Sequence, residues 1–351
     1  MHKLIIHKLG PIRHCELQCT QFMTLTGFQA SGKSTIAKAV YYFRTIKDDI
    51  IELAREQALN SKDTDSFENE LGLDRRLENH LREKFLRTFG SSWGMEKEMF
   101  LEYCFTDELS VKISLVEDER YGTPNYIWVT ICDELRQFLR KKNHYLSVTT
   151  LGIPEEELKK FKTEIYGLFR DEDTVVYIPA GRSMITLLSQ QLGYIYATMD
   201  EMQKRSLDNC TKDYLERILR LKPEFSEGLQ GLALYPGAKT FLSPDTVKQA
   251  LNLIKKILRG TYRYSNGEEQ IVLEDGKYVK INYSSSGQQE CVWILNLLFY
   301  HLIQQNRTLF IVEEPESHLF PESQKYISEL IALVVKMGHS VLLTTHSPYV
   351  L

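Results

Sequence analysis

The chain has 351 residues, 43% of them hydrophobic, and a formal net charge of −4. That length holds one large domain or two ordinary ones, and the apolar content supports a full core. The charge gives no global basic signal for nucleic acid, the lack of a run of about 18 apolar residues predicts no membrane span, and residues 1–7 are too short and polar for a signal peptide. The six cysteines are scattered, so reduced, mostly buried thiols in a cytoplasmic protein are expected. Cys15 and Cys19 lack a second ligand pair, which argues against zinc.

In chain order, strands are expected over residues 4–8, 15–19 and 22–26, with Gly10-Pro11 breaking the first from the second. Three strands in quick succession predict a sheet whose last strand delivers a phosphate-binding loop. The stretch Gly27-Phe28-Gln29-Ala30-Ser31-Gly32-Lys33-Ser34-Thr35 fits the pattern of that loop, G-x-x-x-x-G-K-[ST]. Gly27 and Gly32 let the backbone curl so that N–H groups point at phosphate oxygens. Lys33 reaches the β- and γ-phosphates as a point charge. Ser34 offers its hydroxyl to Mg²⁺, and a helix starting near Gly32 adds the positive end of its dipole. Gln29, Ala30, Ser31 and Thr35 complete the loop expected against nucleotide. The helix is predicted to run to about Lys47.

Residues 48–98 change in composition, and Leu73, Leu77 and Leu81 recur at helical spacing, so a helical insertion is expected. Strands are expected next over 100–105, 109–116 and 126–131, then a helix over 133–142 whose Arg136, Arg140, Lys141 and Lys142 form a small basic end. A β-branched strand over 174–178 stops at Pro179, and a turn is expected to present Arg182 and Ser183. That arginine belongs either to an ordinary strand-to-helix turn or to a nucleotide site or subunit joint. Residues 195–256 read as mostly helical, in parts 199–221 and 244–258, the second opened by Ser243-Pro244-Asp245. Between them 228–237 reads as a loop. A meander is predicted over 261–264, 270–273 and 278–283.

The stretch Ser284-Ser285-Ser286-Gly287-Gln288-Gln289-Glu290 precedes an apolar helix, and such a helix start offers free N–H groups to an anion. Since Lys33 already serves the γ-phosphate in the same chain, a second anion site makes sense if it closes over nucleotide held by another subunit. Leu309-Phe310-Ile311-Val312-Glu313-Glu314 reads as a strand buried on both faces of a parallel sheet and ending in two carboxylates. Ligands sit at the carboxyl ends of such strands. Alternation sends the two side chains different ways, Glu313 to support Mg²⁺ through water and Glu314 to face the attacking water as general base or orienter. A last strand, from Ser340, ends at His346, placed to hydrogen-bond the γ-phosphate or that water.

Together these elements resemble an ABC-type ATPase head of the RecF/SMC/OLD-like group, as found in Septu-, OLD- and retron-associated antiphage ATPases. Gly27 to Ser34 matches its Walker A, Ser284 to Glu290 its signature motif, and Leu309 to Glu314 its Walker B and catalytic glutamate. Glu314-Pro315-Glu316-Ser317-His318-Leu319-Phe320-Pro321 is similar to the E-P-E-x-H-L-x-P run of the group, and His346 to its switch histidine. The resemblance covers residues 1–47 and 260–351; the middle matches only in style. Glu313 stands where many relatives have Asp, and the turn from Ile178 to Arg182 is the candidate region for the Q-loop.

The resemblance implies an α/β fold, a P-loop NTPase head of ABC type with N-terminal antiparallel strands, over residues 1–47, 99–194 and 257–351, with helical insertions at 48–98 and 195–256. It implies ATP and Mg²⁺ as ligands. It also implies two heads sandwiching two ATP molecules, Ser286, Gly287 and Gln288 of each capping the nucleotide of the other. A homodimer or higher oligomer gating a nuclease effector or another nucleic-acid-directed activity is the leading expectation. A RecF-like repair ATPase binding DNA directly and a nucleotide-gated scaffold with little hydrolysis are the alternatives. OLD-like nucleases continue past the T-H-S-P strand into a Toprim domain, so either an ATPase-only relative or a further downstream domain is expected.

Overall fold

The computed structural model describes residues 2–60, 72–118, 123–147, 155–186, 198, 208–234, 242–304 and 306–350. The chain divides into two compact units, Met1–Thr20 with Ala30–Glu172, and Gln21–Gln29 with Asp173–Leu351.

The first unit is built on an antiparallel sheet of β1 (Lys3–Leu9), β2 (Ile12–Gln18), β4 (Phe100–Cys104), β5 (Ser110–Asp118) and β6 (Thr123–Ile131) in the order β2-β1-β4-β5-β6. Gly10, at φ 57°, makes the turn that pairs Leu9 with Ile12. Alternation fixes the register: Leu4, Ile6, Leu101, Tyr103, Val111 and Ile113 are all fully buried. The helices are α1 (Lys33–Arg44), α2 (Ile46–Asn60), α3 (Leu73–Phe89), α4 (Asp133–Ser147) and α5 (Glu155–Phe169). Leu73, Leu77 and Leu81 are fully buried, as their spacing requires, and Phe85 continues the stripe. The single helix expected after Lys33 is two, broken at Thr45, whose hydroxyl turns back to the Tyr41 carbonyl. Helix α5 escaped the sequence reading, although Phe161, Ile165 and Phe169 recur at the same four-residue spacing and are buried.

The second unit holds a parallel sheet, β3 (Phe22–Thr26), β12 (Ser340–Thr345), β11 (Thr308–Glu313) and β7 (Thr174–Ile178), in the order β3-β12-β11-β7. This corrects the expectation of one sheet for the first three strands: β1 and β2 form a hairpin, while β3 pairs with β12 from Phe22↔Val341 to Thr26↔Thr345. Strands β11 and β12 are buried at every position, which explains their unbroken apolar runs. A separate antiparallel meander joins β8 (Thr261–Ser265), β9 (Glu268–Val272) and β10 (Tyr278–Lys280). The last of these is shorter than expected, because Ile281–Tyr283 turns into a 3-10 helix.

The longer helices among the described residues of this unit are α6 (Asn209–Leu221), α7 (Gly228–Leu234), α8 (Pro244–Leu258), α9 (Ser286–Leu302) and α10 (Pro321–Lys336). Helix α7 overturns the loop expected there: Leu229 and Leu232 are buried, and the glycines that read as a loop begin and interrupt a helix of only two turns. Helix α8 starts as predicted, with the Ser243 hydroxyl accepting from the Thr246 amide and Pro244 in the first turn. The part of the predicted 199–221 helix before residue 208 lies outside the described residues. Helix α9 is buried nearly all round, with Trp293 at its centre. Of the six cysteines only Cys210 and Cys291 are fully buried, fewer than expected. Among the described residues no helix is long and apolar enough to cross a membrane.

Candidate active site

The phosphate loop leaves β3 after Thr26 and enters α1 at Lys33, and the division between the units falls inside it, after Gln29. Gly27, Gln29, Ala30 and Ser31 are exposed, Gly32 and Lys33 buried, Ser34 exposed and Thr35 half-buried. Ala30 is left-handed at φ 58°, strain of the kind stored at functional sites. Gly32, at φ 95°, could carry no side chain: a Cβ there would lie 2.6 Å from Ile12 Cγ1. As the cap of α1 it supplies no side-chain hydrogen bond, so the first-turn N–H groups remain for an anion.

Because the four strands of this sheet, β3, β12, β11 and β7, are parallel, their carboxyl ends share one edge. Gly27, His346, Glu314 and Pro179 all leave the sheet there. Glu313, the last residue of β11, is 5% exposed. Its Oε2 accepts from the Ala180 amide at 3.1 Å, and its Oε1 is buried with no hydrogen-bond partner among the described residues. Burial, then the Glu313 charge, pushes the Tyr177 phenol well above its ordinary value. The Tyr177 phenol also interacts with this carboxylate, and a buried oxygen that no close hydrogen bond fills fits a cation or its bound water.

Glu314 is left-handed at φ 43°, so the strand stops and its side chain leaves the pleat. Its amide donates to the Thr344 carbonyl at 2.8 Å. Its Oε2 accepts from the Ser317 hydroxyl at 3.2 Å, and its Oε1 lies 3.6 Å from His346 Nε2. Both side chains are more than a third exposed, which leaves them open to substrate water.

Glu316, which the sequence reading quoted only as part of a run, fixes the other side. Its Oε1 accepts from the Thr345 hydroxyl at 2.6 Å and from the amides of His346 and Ser347 at 2.8 and 3.2 Å. The histidine is thereby held by its backbone while its ring stays free to turn toward Glu314.

The sequence misplaced Arg182. The turn does not present it; Arg182 is fully buried. Its Nε donates to the Glu290 carbonyl, Nη1 to the carbonyls of Pro179 and Glu313, and Nη2 to that of Glu314. The Glu290 carboxylate accepts from the amides of Arg182 and Ser183.

Glu290 sits in the first turns of α9, whose start carries a capping box: Ser285 Oγ accepts from the Gln288 amide, and Gln288 Oε1 accepts from the Ser285 amide. The Gln288 side chain also donates to the Leu258 carbonyl at 2.7 Å, so both ends of its amide are engaged within the chain. Ser286 is exposed and Gly287 half-buried; a Cβ on Gly287 would meet the His318 carbonyl oxygen at 2.7 Å. The basic end of α4 is largely neutralised in the first unit: Arg136 pairs with Glu78, Arg140 with Asp74 and Lys142 with Glu164.

A strained phosphate loop and a parallel-sheet edge carrying paired carboxylates and a histidine are the parts of an α/β P-loop fold. The whole of residues 1–351 matches the family model described as AAA ATPase domain, and the chain belongs to that family. No curated protein matches the chain. Among solved structures it is similar to an Smc head bound to the C-winged helix domain of ScpA, at 11% identity and a TM-score of 0.44, covering 99% of this chain and 90% of that one. It is also similar to the SMC head domain from Thermotoga maritima, at 13% identity and TM-score 0.41, covering 99% and 89%. A third is an Smc head domain with an extended coiled coil bound to the C-terminal domain of ScpA derived from Pyrococcus furiosus, at 13% and 0.40, covering 100% and 91%.

Proposed function

We propose that the chain is an Mg²⁺-dependent ATPase that dimerises head to tail around ATP and uses hydrolysis to gate a nucleic-acid-directed effector, a nuclease in bacterial antiphage defence. The observation that carries the hydrolytic part is the pairing, at one sheet edge, of a buried Glu313 with an orphaned oxygen and a half-exposed Glu314 beside His346. On this reading Gly27, Gln29, Ala30, Ser31, Gly32, Lys33 and Thr35 hold the phosphates, and Ser34 and Glu313 hold Mg²⁺. When bound, the metal neutralises developing charge on the phosphate oxygens. Glu314 takes the proton of the attacking water, and His346 orients that water or the γ-phosphate. Ser286 and Gly287 cap the nucleotide of the partner; Gln288 contributes through its capping-box geometry. Residues 48–98 and 195–256 are insertions in this head, and the protein works in the cytoplasm.

The test is light scattering with and without ATP and Mg²⁺ on the wild type and Glu314→Gln, beside phosphate release. The substitution is expected to keep ATP binding and to lower turnover by a factor on the order of 10²–10⁴. ATP-driven dimers or larger species of the variant support the composite site. Two proteins that stay monomeric with ATP would sink it.

A further inference from the structure

Arg182 is tied on every side to elements of the site yet stands where no substrate can touch it. Four of its five N–H donors go to backbone carbonyls: Nε meets that of Glu290 at 3.1 Å, Nη1 those of Pro179 and Glu313 at 2.5 and 2.6 Å, and Nη2 that of Glu314 at 2.9 Å. Its only charge partner among the described residues is Glu290, whose Oε1 lies 3.3 Å from Nη2. One planar fork therefore joins three chain segments of the second unit: the turn after β7, the end of β11 and the first turns of α9.

The contact with Glu314 is made through its backbone. A glutamate at φ 43° is in a conformation that L side chains resist, and such a residue persists only where its surroundings hold it. The Glu314 amide is held by the Thr344 carbonyl on one side. Its carbonyl, and that of Glu313, are held by Arg182 on the other. A lysine could supply the charge here but not the fork, since a single ammonium cannot reach carbonyls on three segments in one plane.

We propose that Arg182 is a positioning residue for hydrolysis: it locks the backbone of Glu314 in the left-handed turn that aims its carboxylate, and it makes that turn answer to the start of α9. This rests on the ATPase reading above and extends it. Through the Glu290–Arg182 tie, a nucleotide docking at Ser286 and Gly287 from a second copy would stiffen the turn that carries Glu314, so occupancy of one composite site would raise turnover at the other.

The experiment compares wild type, Arg182→Lys, Glu314→Gln and the double variant as full chains. It reads ATP binding, the KM and kcat of phosphate release, the Hill coefficient for ATP, and amide hydrogen exchange by mass spectrometry. Arg182→Lys is expected to leave ATP affinity and KM nearly unchanged while kcat falls on the order of a hundredfold, the effect of misplacing a reacting group by about 1 Å. In the Glu314→Gln background the same change should barely alter the residual rate, because Arg182 acts through Glu314. Cooperativity in ATP should be lost, and exchange should rise over residues 313–319 while 341–345 stay protected. Equal factors in both backgrounds, or unchanged exchange over 313–319, would overturn the proposal. If Arg182→Lys fails to fold, Glu290→Gln serves instead, with the same pattern expected at a smaller kcat loss and the same two overturning results. A wild type without turnover whose exchange responds as expected would end the ATPase reading and leave the tie standing.

Discussion

In the first unit, Asp171 receives Arg44 Nε at 2.6 Å and Lys47 Nζ at 2.8 Å on one oxygen and Arg44 Nη2 at 2.9 Å on the other. Asp49 is likewise shared between Lys84 and His80. In the second unit, Glu313 and Glu316 are as deeply buried, yet Glu313 Oε1 and Glu316 Oε2 have no partner among the described residues. Burial alone would lift the carboxyls of Asp171 and Asp49; Arg44 and Lys47 in one case, Lys84 in the other, hold both below the usual carboxylate range. Burial does not separate the two pairs. Satisfaction does: Asp171 and Asp49 have both oxygens engaged by the chain, while Glu313 and Glu316 each have one without a hydrogen bond among the described residues.

That contrast is broken most severely at Asp171. Asp171→Ala removes the carboxylate that Arg44 and Lys47 share in the interior, and removing one partner of a buried pair costs about 3–5 kcal/mol. Urea unfolding should show the loss, with no change in ATP affinity beyond what unfolding explains. A loss under about 1 kcal/mol would mean that the network is not structural in the sense argued here.

Glu313→Gln should behave in the opposite way. It removes a charge that the fold does not fully pair, so stability should stay within about 1 kcal/mol of wild type or rise. Mg²⁺-dependent ATP binding should weaken by about 10–100-fold, the usual cost of losing a carboxylate that orients metal-bound water. Binding measured in EDTA provides the control. If the metal dependence is unchanged, the orphaned oxygen does not serve a cation.

The smallest effect concerns a buried group that avoids charge altogether. His301 makes one side-chain hydrogen bond among the described residues, Nδ1 with the Thr308 hydroxyl at 3.3 Å, and burial, then the Arg217 and His339 charges, pull its pKa down to about 3. The folded value lies below the unfolded one, so the unfolded chain binds more protons between the two. The contribution of His301 is therefore complete above about pH 6.5 and is lost as pH falls toward about 3. His301→Phe should flatten the acid limb of a stability–pH curve by no more than about 1.4 kcal/mol per pH unit.

Much of this contrast was legible in the sequence on one side only. The phosphate loop, the apolar run into Glu313-Glu314 and the histidine after β12 announce themselves because each is local: a short spacing carries the chemistry. The Ser243-Pro244 helix start and the Leu73–Leu77–Leu81 stripe were legible for the same reason. Arg182 was not, because whether a turn points an arginine outward or inward depends on Glu290, Glu313 and Glu314, which arrive from over a hundred positions away. Glu316 was visible as a letter in a motif but not as the acceptor for Thr345, His346 and Ser347. Helix α7 failed for the converse reason: its glycines obey local rules for a loop, and the burial of Leu229 and Leu232 overrides them.

The pairing of β3 with β12 also bears on how the protein comes into being on the ribosome. The strand that delivers the phosphate loop is made early, but its partner among the described residues, β12, is made about 300 residues later. Until then the edge of β3 is unpaired, and closing so long a loop is a slow step that comes late. The phosphate loop should thus stay without its native support until β12 is available to pair with β3.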